Sequence, residues 1–199
     1  AGIQMTLLKL LDRHNGEMKA RVGVDRAPTT LSTYLFTYRT LSEFIKAKFK
    51  VPDLVFGQLN EQFIRDYQDF CLEKKKLAME TVRHYLSILK KICRIAYKEG
   101  HSEKYHFCHF KLPKQKETTP KALSRENFEK LRDLEIPEKR RSHVITRDLF
   151  LFACYTGTAY ADVVSITREN LFWDDEDSLW LKYRRKKTDY LGRVKLMPD

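Results

Sequence analysis

Six side chains between residues 83 and 98 have the types and spacing to hold a polyanion. Arg83, Ser87, Lys90, Lys91, Arg94 and Lys98 stand at i, i+4, i+7, i+8, i+11 and i+15, which on a helix puts them on one face. From Cys71 to Lys98 there are eight basic residues, counting Lys74, Lys75 and Lys76, against the two acids Glu73 and Glu80. A solubilising face normally mixes signs, because like charges at i, i+4 repel by roughly 0.2–0.5 kcal/mol. Phosphates would neutralise such a stripe, and each contact would release counterions and steepen the dependence on salt. Contacts of this kind position a backbone and do not by themselves read a base sequence. A second group lies downstream, where Asp162 is followed by the run Arg184-Arg185-Lys186-Lys187. By its residues alone that run is a charged strand end, and Asp162 an exposed acid favoured by a helix dipole.

These residues need a scaffold, and the spacing of apolar residues predicts one. Residues 1–26 carry a short helical stretch (Leu7, Leu8, Leu11) that Gly16, Gly23 and Pro28 interrupt. From Thr30 a helix is signalled by Leu31, Tyr34, Leu35, Tyr38, Leu41, Ile45 and Phe49, ending at Val51-Pro52-Asp53. Asn60 is suited to cap a second helix with Phe63, Ile64, Tyr67, Phe70 and Cys71 inward. A third, about Glu80 to Glu99, turns Val82, Tyr85, Leu86, Leu89, Ile92, Cys93 and Ala96 inward and stops at Gly100. The expected fold class is mainly α: a helical bundle over 27–112, a polar, proline-bracketed linker over 113–121, and a partial α+β domain over 122–199. In the last, Ser124 caps a helix with Leu123 and Phe128 as its staple. Another helix runs from about His143 to Tyr155, Gly157 ends it, and a short one follows Ala159. Leu179, Leu181 and Tyr183 then alternate, Asp189 to Gly192 can turn, and Val194 and Leu196 alternate again as a β-hairpin.

Composition narrows the classes. The 199 residues hold 38 Lys and Arg against 27 Asp and Glu, a net charge of +11, which favours a nucleic-acid partner. Hydrophobic content of 42% with 24 aromatic residues is enough for packed cores. No apolar run approaches the ~18–20 residues of a membrane span. Cys71, Cys93 and Cys154 fall among apolar helical positions, which predicts reduced core thiols. His101, His106, Cys108 and His109 lack zinc-ligand spacing, so neither a metal nor another cofactor is expected. The phosphate-binding glycine loop and the hydrolase elbow are also missing.

The segment Tyr155-Thr156-Gly157-Thr158-Ala159-Tyr160-Ala161-Asp162 and the Lys187-Thr188 step resemble two neighbouring active-site motifs of tyrosine recombinases (phage integrases), in that family's order and spacing. Thr81-Val82-Arg83-His84-Tyr85-Leu86-Ser87-Ile88-Leu89-Lys90-Lys91 resembles the T-x-x-x-Y-L-S-x-L-K helix of the same family's core-binding domain. The resemblance covers most of the chain and is greatest to integrases of bacterial conjugative transposons, with 1–26 leading from an upstream arm-binding domain. It implies a cytoplasmic, nucleoid-associated enzyme of DNA integration that clamps duplex DNA, forming a 3′-phosphotyrosine without metal or ATP. Lys187 matches the general acid for the departing 5′-oxygen, and Asp162 a supporting acid. Ala159 occupies the position of the first catalytic arginine and cannot bind phosphate. The motif's histidine-arginine pair and nucleophilic tyrosine would lie beyond Asp199; Tyr160, Tyr183 and Tyr190 do not match the nucleophile. Thus the expectation is a DNA-binding fragment inactive in cleavage, with tetramers on DNA formed by the full-length protein. The other readings are a non-catalytic DNA-binding accessory protein on the same fold and a helical protein-interaction module.

Overall fold

The structure, a computed structural model, describes residues 4–114, 119 and 122–197, so most of the expected 113–121 linker lies outside the described residues. The chain divides into two compact units, residues 1–117 and 118–199.

The first unit is a bundle of four helices: α1 (Leu7–Ala20), α2 (Pro28–Phe49), α3 (Glu61–Asp69) and α4 (Met79–Lys98). Their inward faces join one cluster that includes Leu7, Leu10 and Leu11 of α1, Leu41 and Ile45 of α2, and Leu86, Leu89 and Ile92 of α4. Burying each such side chain contributes about 1.5–3 kcal/mol. Residues 7–20 are therefore part of the bundle, although the interruptions at Gly16, Gly23 and Pro28 set 1–26 apart from it in the sequence. Gly16 does not break α1, and Pro28 opens α2 at its first turn, where a missing N–H costs nothing.

Thr6 makes no side-chain cap to α1. Asp53, far along the chain, does the work instead: its carboxylate accepts from the Thr6 hydroxyl at 2.5 Å, Leu8 N at 2.9 Å and Lys9 N at 3.3 Å. Asn60 caps α3 as its sequence predicts, accepting from Phe63 N at 2.8 Å. The helical path then widens into a π-helical turn at Phe70–Lys74, which no local signal announces. Phe44 is the hub of an aromatic group, 5.3 Å from Phe63 and 5.4 Å from both Tyr67 and Phe70. Cys71 and Cys93 are buried, and burial raises their thiols to about 11 and about 12. Cys154, predicted in a core, is exposed, because the side of the helix Arg141–Thr156 that carries it is uncovered.

The second unit contains α5 (Arg125–Arg132), α6 (Arg141–Thr156), α7 (Tyr160–Val163) and an antiparallel sheet ordered β1 (Leu171–Trp173), β2 (Leu179–Arg184), β3 (Leu191–Lys195). Ser124 caps α5 at 3.2 Å from Asn127 N, but its staple partner Leu123 is half exposed. Strand β1 was not evident from alternation, being three residues long and exposed throughout. The turn between β2 and β3 falls at residues 185–190, ahead of the Asp189–Gly192 position the sequence suggests, and Leu191 already pairs with Arg184. Gly192 faces Tyr183 in that pairing; a Cβ there would come within 2.7 Å of the ring. The chain has no described helix long and apolar enough to cross a membrane.

Candidate functional site

Helix α4 sorts its residues by face as the spacing demands. Val82, Tyr85, Leu86, Leu89, Ile92, Cys93 and Ala96 are all buried. Arg83 and Lys90 are half-buried and Ser87, Lys91, Arg94 and Lys98 exposed. At 1.5 Å per residue the stripe from 83 to 98 is about 22 Å long. Several of its cations are held by neighbours. Lys91 Nζ donates to Tyr34 Oη at 3.1 Å and lies 5.4 Å from that ring's centroid. The Arg94 guanidinium is 5.8 Å from the Tyr105 ring, and Arg83 lies 3.5 Å from Glu80. Lys90 and Lys98 have no ion-pair partner among the described residues. A stripe partly fixed before any ligand arrives loses less side-chain entropy on binding. It can neutralise a row of phosphates.

His14 packs against Tyr34 with ring centroids 5.4 Å apart. Burial, with Lys91 nearby, holds its imidazole below the usual histidine range. Lys74, Lys75 and Lys76 follow α3 and are exposed. Lys75 is salt-bridged to Glu43, and Lys74 and Lys75 line a groove floored by Phe44 and Phe70. Tyr34 and Tyr105 as supports of the stripe could not be read from the sequence, since Tyr34 is 57 residues from its lysine.

The second unit brings Asp162 to the hairpin. Helix α6 ends at Thr156, Gly157 takes φ 65°, and the hydroxyls of Thr156 and Thr158 lie 2.7 Å apart. The chain then enters α7 with Ala159 as its N-cap residue. Asp162 is 2% exposed, so it is not the solvated acid that its position in a first turn would allow. Its Oδ1 accepts from Lys186 N at 2.9 Å, and its Oδ2 lies 3.8 Å from Arg185 Nε. A buried carboxylate needs such partners, and here they are the backbone and side chain of the β2–β3 turn. Lys187, exposed on that turn, is thereby placed at one remove by Asp162. Ala159 is exposed, and its methyl can donate no hydrogen bond. Tyr160 and Tyr190 are also exposed, at 75% and 71%. Among the described residues, no group of three or more His, Cys, Asp or Glu side chains could hold a metal.

The phage integrase SAM-like domain model matches residues 6–112, the helical unit that carries the stripe. No curated protein sequence matches the chain. Among solved structures, a lambda integrase dimer bound to a COC′ core site aligns with TM-score 0.73 and 19% identity over 96% of this chain and 62% of that one. A lambda integrase tetramer bound to a Holliday junction aligns with TM-score 0.75 and 18% identity, over 98% and 52%. A XerH site-specific recombinase bound to a palindromic difH substrate aligns with TM-score 0.61 and 17% identity, over 94% and 52%. The chain thus spans roughly half to three fifths of these structures' length. Likeness at that identity speaks for the fold; the family model, covering more than half of the chain, supplies membership. This chain, with its α4 stripe and its hairpin tied to Asp162, belongs to the tyrosine recombinase (phage integrase) family.

Proposed function

We propose that this chain grips duplex DNA as part of a site-specific recombinase, an integrase of a mobile element, with α4 laid against the phosphate backbone. The observation that carries this reading is the one-sign face of α4, opposite a fully buried apolar face and with part of its cations already braced. Lys90, Arg94 and Lys98 would meet phosphates directly, Arg83, Ser87 and Lys91 would flank them, and Lys74 and Lys76 would extend the field. In the second unit Lys187 would protonate the departing 5′-oxygen. Asp162, touching no substrate, would be a positioning residue that holds the turn. None of Tyr160, Tyr183 and Tyr190 takes the nucleophile's part in this scheme.

Ala159 favours a second reading, a DNA-binding accessory protein on this fold. Losing one transition-state donor commonly costs ~10²–10³ in rate. Both readings require DNA binding. Supplying the remainder of a catalytic domain in trans separates them: strand cleavage that needs Lys187 marks an enzyme, and no cleavage an accessory protein.

Binding is tested by fluorescence anisotropy with labelled duplex across a salt series, beside a variant with Arg83, Lys90, Lys91 and Arg94 changed to Glu. Affinity should fall with salt at about −0.9 in log–log slope per phosphate neutralised, and the variant should lose most of it while keeping its helical circular dichroism. Salt-independent binding, or a folded variant that binds as before, would overturn the reading.

A further inference from the structure

The two faces of the small sheet differ in kind. Residues paired across antiparallel strands share a side, so Leu171, Leu181 and Val194 lie together on one of them. That is the inner side, where Leu181 is wholly buried. The other side carries a row of Phe172, Trp180 and Lys195, one from each strand, and beside it the pair Lys182 and Arg193. Phe172 is 38% exposed, Trp180 is half-buried, and Lys182, Arg193 and Lys195 are exposed. The three strands contain no Asp or Glu.

This outer side departs from an ordinary solvated face. Lys182 and Arg193 stand directly opposite one another, where like charges destabilise a sheet. Neither they nor Lys195 has an ion-pair partner among the described residues, whereas Arg184 at the end of β2 is paired with Asp189. The indole N–H of Trp180 donates to Asp174 at 2.6 Å, and the same carboxylate accepts from Glu176 N and Ser178 N. The β1–β2 turn therefore orients the ring. Rings and cations occupy two rows about 6.8 Å apart along the strands. Aromatic rings beside unpaired cations suit bases that stack and a phosphate backbone that runs alongside. A duplex keeps its base faces stacked on one another and out of reach. An acidic peptide would meet the cations and leave the rings unused.

We propose that this face of the sheet binds single-stranded nucleic acid, with bases stacked on Phe172 and Trp180 and phosphates held by Lys182, Arg193 and Lys195. After Ser178 N, Trp180 and Glu176 N, Lys195 also helps keep Asp174 ionised, so Lys182 and Arg193 are the main phosphate contacts. The acidic turn Asp174–Asp177 borders the site and repels phosphates, which keeps the bound segment short. None of the six α4 residues takes part, so the site stands or falls separately from the duplex-binding reading.

The two tryptophans of the chain are Trp173 and Trp180, and they lie on opposite sides of the sheet, since Trp173 pairs with Leu179 on the inner side. The test is titration with an oligothymidylate of about eight nucleotides, read by tryptophan emission, which a stacked base quenches. It is run with Arg83, Lys90, Lys91 and Arg94 changed to Glu, and again with those residues intact and duplex DNA in excess, so that α4 does not compete. With Trp173→Phe added, emission from Trp180 should be quenched saturably, and less as salt rises. With Trp180→Phe instead, Trp173 should not respond. Phe172→Ala, and Lys182→Glu combined with Arg193→Glu, should each weaken binding about tenfold or more, while Phe172→Tyr, which keeps a ring, should bind as before. Absence of quenching up to about 1 mM oligonucleotide, equal quenching of Trp173, or equal affinity for polyglutamate or duplex would overturn the proposal. A Phe172→Tyr variant as weak as Phe172→Ala would overturn it too, because the ring would then not be the contact.

Discussion

Residues 1–117 gather one hydrophobic cluster that runs from Leu7 to Phe110, whereas the large hydrophobic side chains buried among the described residues of 118–199 are Val163 and Leu181. The second unit does not lack apolar residues. Ile145, Phe150 and Tyr155 of α6, Phe172 and Trp173 of β1 and Val164 after α7 are simply uncovered, between 38% and 66% exposed. What shapes that unit locally is polar. Asp174 accepts from Glu176 N, Ser178 N and Trp180 Nε1 to fix the β1–β2 turn. Asn170 donates to the Lys182 carbonyl, and Asp162 fixes the β2–β3 turn. The stripe on α4 thus rests on a rigid hydrophobic body, while Lys187 rests on a chain of individual hydrogen bonds. The placement of Lys187 in this unit depends on single polar side chains, where that of the α4 stripe in the other depends on bulk packing.

Truncation in the two cores gives the largest expected difference. Leu10→Ala or Ile92→Ala should cost about 2–5 kcal/mol in urea unfolding of the bundle. Phe150→Ala, at a side chain 41% exposed, should cost less than about 1 kcal/mol, since little burial is lost. Similar costs at both places would break the comparison. Asp162→Ala ranks next. It leaves Lys186 N without its partner, an effect of roughly 1–3 kcal/mol, confined to the hairpin. Hydrogen exchange should speed at Lys186 and around the turn but not in α4; a bundle that loosens as well would show that the hairpin is not held locally.

The smallest effect is a pH response divided between the units. Burial depresses the folded-state basicity of His14 and of His106 in the first unit. The unfolded chain therefore binds protons more readily, and stability present above the ordinary histidine value of 6.5 is lost as pH falls through the folded values. In the second unit, the hydrogen bonds from Ser178 N and then Trp180 lower Asp174 from 3.8. Its contribution is present above that value and is lost only in stronger acid. Urea midpoints of the bundle should fall slightly between pH 7.5 and pH 5 and less in His14→Gln, while the β1–β2 turn keeps its exchange protection over that range.

The elements that pack most tightly were the most legible in the sequence. All seven residues assigned to the inner face of α4 are buried, and Asn60 and Ser124 cap the helices they precede. Periodicity reports burial, so it serves well where burial makes the structure. It misleads at Leu35, which shares a helix with core residues yet faces out, and at Cys154, whose neighbours leave it uncovered. Of the candidate site, the stripe could be read because its residues lie on one element. The reach of Asp162 to Lys186 across 24 residues, the bracing of Lys91 by Tyr34 and the capping of α1 by Asp53 are tertiary events with no local pattern. Nor did three exposed residues suffice to announce β1.

The Asp53 carboxylate also has a mechanical meaning. The first helix is fastened to the bundle by a latch at its upstream end, where Thr6, Leu8 and Lys9 share one acid and Leu7 N grips the Leu54 carbonyl at 2.9 Å. A tug on the chain at Gln4 would load this latch before it loaded the leucines of α1. Any body joined to that end would therefore pull on the loop at Asp53, and through it on the base of α3, as on a hinge pin.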